Sequence, residues 1–314
     1  MADLEVVDLF VGLGGFSAGA LAVGASVVMG VDRESAPLRH WAANVPAGRA
    51  VLATLGPKGD AIELPPPGPR LHVHASPPCT ELSMARGGSA TAEGVADGLA
   101  QMRWAIELVL GRGDHSWSME NVSTPATREL LAEQAERHPD RVAWAAFDAA
   151  DHGAPQTRVR LLAGPPRLIK RLQEQAVARR VSVRDAFEAR GLGLPAPRFK
   201  NQTRNRDGSP CSRSVEEPSF TVCASHPLTW VDREGRTVRV MSVAESALLM
   251  GFPERWILPS GSRVAQRAVG NALCIPTASA VVEAAMAEAA MAEAAAADTD
   301  KGPEEAPPLA PAAL

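Results

Sequence analysis

The sequence predicts an α/β fold, a doubly wound and mostly parallel sheet joined to a small second domain. Three observations predict it. Short apolar strands alternate with helical stretches over residues 1–164. The chemically unusual residues fall just after the strands end. Pro165-Pro166 then interrupts the rhythm, which resumes near residue 240. A chain of 314 residues is long enough for one large domain and one smaller one. The expected organisation is a catalytic and ligand-binding unit at 1–164, a recognition segment at 165–239, a return to the first unit at 240–282, and a low-complexity tail at 283–314.

The elements follow in order. Glu5 to Phe10 reads as a buried strand, followed by Gly12-Leu13-Gly14-Gly15 and a small-residue helix to Ala22. Ser26 to Val31 is a second strand ending at Asp32, and Leu71 to Ala75 is another, ending in Ser76-Pro77-Pro78-Cys79. Leu99 to Leu110 has helical periodicity, His115 to Met119 is a short strand, and Pro125 to Arg137 is a helix with proline at its start. Arg141 to Phe147 and Arg158 to Ala163 read as further strands. Ser242 starts a helix with Glu245 three residues on, a capping box, and Gly251-Phe252-Pro253 stops it. From Val281 a Glu-Ala-Ala-Met-Ala period of five gives no single apolar face, so a frayed helix and a Pro-rich end are expected.

Composition narrows the class. The four cysteines (Cys79, Cys211, Cys223, Cys274) form no C-x-x-C pair, which argues against a structural zinc, any other metal site of that kind, or a disulfide framework. No basic region precedes an apolar stretch at the N-terminus, and no apolar run is long enough to span a bilayer, so a reduced, cytoplasmic protein without a membrane partner is expected. Net charge is only -4, but Pro165 to Glu216 holds 12 Lys and Arg against 5 Asp and Glu. Such a block suits phosphate binding, with a solvated helix face over Arg171 to Arg190 as the bland alternative.

In a doubly wound sheet, ligands bind at the carboxyl ends of the strands. Gly12, Gly14 and Gly15 follow the first strand, and Asp32 ends the second, where it suits ribose hydroxyls. A nicotinamide-type G-x-G-x-x-G would need glycine where Ser17 stands, and no Walker lysine is present. Cys79 follows two prolines that stiffen its turn, a poor setting for an ordinary buried cysteine. A deaminase zinc site would need cysteine at Leu82. Glu120 follows an apolar strand, where a carboxylate is costly unless it binds something or pairs with an ion.

Together these segments resemble the DNA cytosine-5 methyltransferase family over roughly Val6 to Val282. The resemblance rests on Asp8-Leu9-Phe10 with the glycines, Pro77-Pro78-Cys79, Glu120-Asn121-Val122, Gln156-Thr157-Arg158-Val159-Arg160, Glu245 with Gly251-Phe252-Pro253, and Gly270-Asn271-Ala272. It implies the S-adenosylmethionine-dependent methyltransferase fold and methylation of carbon 5 of cytosine in double-stranded DNA. It also implies a monomer, with a cognate restriction endonuclease as a candidate partner. Cys79 would be the nucleophile, Glu120 would hold the cytosine N3 edge, and Arg160 and less directly Arg158 would supply positive charge. Phe10, Gly12, Leu13, Gly14, Gly15, Asp32, Asp60, Ala61, Pro77 and Asn271 would bind S-adenosyl-L-methionine, although Asn271 also suits a plain turn.

By the same resemblance, Thr80 to Gly98 is the loop that closes over the base, with Ser83 and Arg86 on DNA. The base would be flipped out of the duplex. Arg198, Lys200, Arg204 and Arg206 flank a polar loop with Asn201, Gln202 and Asn205 that is expected to read base edges, whereas Arg179, Arg180 and Arg184, on a helix, are expected to touch backbone or solvent. The family usually has Gln where Thr80 stands and Glu where Asp32 stands, and the recognition segment is short. Two rival readings are a transfer-RNA cytosine-5 methyltransferase, whose Cys-Phe-Thr tripeptide is missing, and a catalytically silent DNA-binding homologue, against which the intact Cys79, Glu120 and Arg160 count.

Overall fold

The computed structural model describes residues 4–82, 91–113, 116–204 and 208–299. Its centre is a seven-stranded sheet built from β1 (Glu5–Leu9), β2 (Ser26–Asp32), β3 (Arg49–Leu52), β4 (Leu71–Ala75), β5 (Ser116–Val122), β6 (Ala143–Asp148) and β7 (Val159–Gly164). The order is β3-β2-β1-β4-β5-β7-β6. All pairings are parallel except those of β7, which runs against both β5 and β6. The expected mixed α/β architecture with a mostly parallel sheet is what the chain forms.

Apolar alternation assigns the two faces. On β1, Val6 belongs to the core of one face, and Val7 and Leu9 to that of the other, as a period of two requires. The second face is covered by α3 (Ala92–Arg112) and α4 (Pro125–Arg137). The first is covered by α1 (Gly15–Ala22), α5 (Pro166–Glu174) and α9 (Ile275–Thr299). α2 (Ser35–Asn44) packs beside β2 and β3, burying only Leu38 and Trp41. Such thin burial explains why no clear periodicity announces this helix.

The tail expectation needs correcting. α9 is a core helix in its first half, with Ala278, Val281, Val282, Ala284 and Ala285 all buried. It lies against the small-residue helix α1 so closely that a Cβ on Gly19 would come within 2.5 Å of the Ala278 Cβ. Further along, Glu288 pairs with Arg171 and Glu293 with Arg70. Partly exposed pairs of this kind contribute on the order of 1 kcal/mol each, so close packing more than charge holds the helix. The stretch Ser262–Ala295 is also long and apolar enough by composition to cross a membrane, unlike any run expected from sequence. Most of its apolar window is buried in this core.

The basic middle segment forms α6 (Val183–Glu188) and a four-stranded antiparallel sheet, β8 (Arg198–Arg204), β9 (Pro210–Ser214), β10 (Thr229–Val231) and β11 (Thr237–Val240), in the order β11-β10-β8-β9. Phe187, Phe199, Phe220 and Trp230 form its interior through edge-on ring contacts. Arg198 to Arg204 is therefore a strand rather than a loop. α5 packs on β6, β7 and α9, so residues 166–174 sit on the large sheet rather than with the small one. After it, α7 (Val243–Leu249) starts on the expected capping box of Ser242 and Glu245, and α8 (Ser262–Asn271) leads back to the large sheet.

Candidate active site

The carboxyl edge of β1, β2, β4 and β5 opens on one cleft of about 560 Å³, lined among others by Phe10, Gly12, Asp32, Pro77, Cys79 and Glu120. At the end of β1 the chain turns sharply. Phe10 adopts φ 60°, the left-handed region that side chains rarely enter, and this places its ring at the cleft wall, 6.2 Å edge-on from Trp104. Gly14 follows at φ 86°, where a Cβ would meet Trp41 at 2.7 Å, and a Cβ on Gly15 would meet the Leu273 carbonyl at 2.4 Å. These two glycines thus serve close packing within the protein; Gly12, Leu13 and Gly15 also line the cleft.

Asp32 accepts the N–H of Gly12 at 2.8 Å on one oxygen and that of Glu34 at 2.8 Å on the other. Burial raises its carboxyl above the usual range, and the two N–H donors oppose this. A carboxylate offers about four acceptor positions, so two remain for ribose hydroxyls. Asn271, Ala53, Leu55 and Gln101 complete this end. Asp60 and Ala61 do not: both are exposed outside the cleft lining, and Asp60 turns back to accept the Thr54 N–H at 2.7 Å. Flat apolar walls with a free-edged carboxylate fit a nucleoside, and the cofactor implied is S-adenosyl-L-methionine. Sequence reading placed Asp8 in a motif but gave it no role. It is buried at the cleft floor, 2.6 Å from the Ser17 hydroxyl, and burial pushes its carboxyl up to about 7.

The other end holds Cys79 and Glu120. Asn121 Nδ2 donates to the Pro77 carbonyl at 3.1 Å, tying the Pro77-Pro78-Cys79 turn to β5. Glu120, on β5, is buried and pairs with Arg160 Nε at 2.9 Å from the adjacent strand β7. Burial raises the Glu120 carboxyl, against the pull of Arg160 and Arg158. Cys79 is half-buried. Its thiol is raised by burial first and by the Glu120 charge second, while Arg160 and Arg158 act to lower it. The cationic influence needed to form a thiolate is thus in place but does not outweigh burial in the free protein.

Arg158 departs from expectation. Its side chain is buried and donates to the carbonyls of Val222 (3.0 Å), Gly270 (2.9 Å) and Ala272 (3.1 Å). Its charge is felt at Cys79, yet Nη1 and Nη2 are spent on these carbonyls and Nε is buried without a partner, so it positions rather than touches. Gln156 acts alike, donating to the Leu249 carbonyl at 2.9 Å and accepting the Val222 N–H at 3.1 Å.

Of the residues expected on DNA, Ser83, Arg86 and Arg206 lie outside the described residues. So does Asn205. Residues 92–98 are the first turns of α3, N-capped by Thr91, and not part of a loop. Arg198 donates to Ser212 Oγ at 2.9 Å, Lys200 to Thr237 Oγ1 at 3.1 Å, and Arg204 to the Gly208 carbonyl at 2.8 Å. Each is partnered by a neutral oxygen, and among the described residues none of the three pairs with an acid. Arg179, Arg180 and Arg184 instead pair with Asp185, Asp148 and Asp151, and Glu188 and Glu216. Only Arg184 of the three sits on a helix. Sequence reading also missed the basic cleft-lining residues Arg33, Arg39, Arg263 and Arg267, which no motif marked.

Residues 170–287 match the family model of the C-5 cytosine-specific DNA methylase. This stretch includes the Gly251-Phe252-Pro253 and Gly270-Asn271-Ala272 motifs and lies after Cys79, Glu120 and Arg160. No curated protein matches the chain significantly by sequence. Among solved structures, a candidate DNA modification methyltransferase encoded within an E. coli prophage superposes with TM-score 0.61 at 17% identity, covering 91% of this chain and 99% of the other. Dnmt2 methyltransferase from S. pombe gives 0.56 at 15% identity, covering 90% and 98%. A mutant DNMT2 from Spodoptera frugiperda gives 0.54 at 14%, covering 90% and 99%. At such identities the likeness speaks to the fold.

Proposed function

We propose that this protein transfers a methyl group from S-adenosyl-L-methionine to carbon 5 of cytosine in double-stranded DNA, through a covalent adduct of Cys79 with a base turned out of the helix. The observation that carries the reading is one cleft whose lining joins Phe10 and Asp32 at one end to Cys79 and Glu120 at the other. The cofactor supplies an electrophilic methyl group when bound. The protein's part is to make carbon 5 a nucleophile. The Cys79 sulfur adds to carbon 6, and the ring's electron pair shifts towards carbon 5. Glu120, whose carboxyl is already biased towards its protonated form, gives a proton to N3 and holds the 4-amino group. Arg160 keeps Glu120 in place and sets positive charge beside the sulfur. After transfer the carbon-5 proton passes to solvent in the cleft, the carbon–sulfur bond breaks with its electron pair returning to sulfur, and N3 gives its proton back to Glu120.

The charges on β8, which pair with no acid among the described residues, favour a polyanionic substrate, since each phosphate neutralised releases counterions. Arg198, Lys200 and Arg204 form its recognition strand in this reading. The test is bisulfite-type sequencing of DNA from cells expressing the chain, with transfer RNA from the same cells sequenced in parallel. Methylcytosine at a fixed DNA context is expected. Methylation confined to transfer RNA would overturn the choice of substrate, and methylation of neither would overturn the activity.

A further inference from the structure

A chain of five side chains runs along β4 and β5 from one end of the sheet to the other. Ser116 Oγ lies 2.7 Å from His72 Nδ1, and His72 Nε2 lies 2.8 Å from Ser118 Oγ. Ser118 Oγ lies 2.8 Å from His74 Nδ1, and His74 Nε2 lies 2.8 Å from Ser76 Oγ. The register that faces His72 to Ser116 and His74 to Ser118 across the two strands builds this ladder. Its middle is sealed, with His72 and His74 at 0% exposure and Ser118 at 2%. Both ends are half-buried: Ser76 lines the catalytic cleft, and Ser116 lines a second cavity of about 420 Å³ at the amino edge. Phe16 stacks on the His74 ring at 3.6 Å and 3°, holding it against rotation.

The donors of this ladder obey a counting rule. A neutral imidazole has one N–H and one bare nitrogen, and a serine has one O–H. Burial keeps both rings neutral, and His74 is pushed down further by its neighbour His72. Ser118 cannot donate to both rings. If it accepted from both, its own buried proton would lack an acceptor within the ladder, which is costly. Two arrangements satisfy every link: all donors point towards Ser116, or all point towards Ser76. A buried row of polar groups open at both ends, with two equivalent senses, can pass a proton without ever holding a charge inside.

We propose that this ladder is a proton relay from the cleft to the amino edge, and that it takes away and later returns the thiol proton of Cys79. The proposal rests on the covalent role given to Cys79 above. Ser76 and Cys79 flank the Pro77-Pro78 turn and line the same cleft. As the Sγ–H bond breaks, its electron pair stays on sulfur and a proton reaches Ser76 Oγ. The Ser76 proton moves to His74 Nε2, and that on Nδ1 moves to Ser118. The Ser118 proton moves to His72 Nε2, that on Nδ1 moves to Ser116, and the Ser116 proton passes to solvent in the far cavity. All donors then point towards Ser76. Because the rings cannot turn over, the ladder resets only by running backwards, which happens when the thiolate leaves carbon 6 and recovers its proton. Outward and inward transfer once per turnover close the cycle. His72, His74 and Ser118 act through Ser76 and are positioning residues.

Nitrogen-15 spectra of the imidazoles in the free, full-length protein test the ladder without any reaction. Both rings are expected to carry hydrogen on the same type of nitrogen. Hydrogen on His72 Nε2 together with His74 Nδ1 would overturn the relay. In single-turnover methylation, Ser118→Ala should slow transfer about tenfold and flatten the curvature of the rate plotted against deuterium fraction, with cofactor Kd within twofold. Ser118→Thr should restore both. An unchanged rate and isotope response in Ser118→Ala would also overturn it. Should that variant fail to fold, Ser116→Ala at the half-buried far end faces the same two outcomes. If the wild-type chain methylates no cytosine, the reading of Cys79 fails first and the relay of its proton with it, whatever the spectra show of the ladder's sense.

Discussion

The carboxyl edge of the large sheet and the small antiparallel sheet both depend on arginine, and they spend it in opposite ways. At the large sheet, Arg158 is buried on three carbonyls and Arg160 is locked to Glu120. On β8, Arg198, Lys200 and Arg204 lean on neutral oxygens at or near the surface. Burying a guanidinium is costly unless partners take up its N–H groups; Nη1 and Nη2 of Arg158 are taken up while its buried Nε is not, so this arginine is part of the scaffold. An exposed one keeps its charge for a partner. The lesson is that a basic count says little until each charge has been traced to what it touches.

The largest effect that would sharpen this contrast is at Cys79, the proposed nucleophile. Cys79→Ser should reduce methyl transfer to background, because a serine hydroxyl is far too weak an acid to add to carbon 6 at neutral pH. Cofactor Kd, read by calorimetry, should change only a few fold. Cys211→Ser and Cys223→Ser should stay active, and Cys274→Ser should stay active with a modest fall in Tm, since it is fully buried.

Arg158→Ala should come next, losing on the order of 3 kcal/mol of stability in a denaturant titration, because three carbonyls lose their donor at once. Arg198→Ala should change stability by about 0.5 kcal/mol or less. Equal losses from the two would erase the distinction between scaffold and surface. Phe10→Ala should weaken cofactor binding by about 1–3 kcal/mol through loss of a stacking face, without moving DNA affinity measured in its absence.

On β8, a phosphate-contacting residue replaced by alanine should lower the salt slope of DNA binding by roughly one. One that reads a base edge should relax site preference by about 1–3 kcal/mol at a single position. Methylation-site profiles of Arg198→Ala, Lys200→Ala and Arg204→Ala separate the two. Uniform rate loss in all three with unaltered preference would show that this strand reads no bases. The smallest effect belongs to Glu245. Burial opposes its ionisation, yet Arg239 and the Ser242 N–H and hydroxyl hold its carboxyl below the usual value. A depressed carboxyl stabilises the fold above its unfolded value and loses that contribution as pH falls through the folded one. The acid limb of a Tm–pH curve should therefore be shallower in Glu245→Gln.

Much of the sheet was legible in the sequence because β1, β2 and β7 carry apolar runs, β4 and β5 alternate apolar with polar residues, and glycine, proline or acid punctuates them. The reactive cluster was legible because a cysteine after two prolines and a glutamate after an apolar strand are expensive arrangements. What stayed hidden has a common physical cause. The use of Arg158 depends on carbonyls 64, 112 and 114 residues away, which no local pattern encodes. The helix α9 lacks an apolar stripe, but alanine needs none when its neighbour α1 offers glycine. The strand β8 alternates poorly, since only Phe199 faces a deep core.

The clamp made by Gln156, Thr157 and Arg158 has a consequence for exchange between relatives. Gln156 and Arg158 grip main-chain atoms of Val222, Leu249, Gly270 and Ala272, and the Thr157 N–H donates to the Ser219 carbonyl at 2.8 Å. None of these contacts asks what side chain the gripped residue carries. The joint between the two sheets is thus largely main-chain on the side of the small one, apart from Arg213, which donates to Thr157 Oγ1 at 2.9 Å, and the Thr221 hydroxyl, which donates to the Thr157 carbonyl at 2.8 Å. A foreign segment grafted between residues 175 and 239 would therefore keep most of these contacts if its exit strand follows the same backbone path past Ser219 and Val222, and all of them only if it also carries arginine at 213 and threonine at 221.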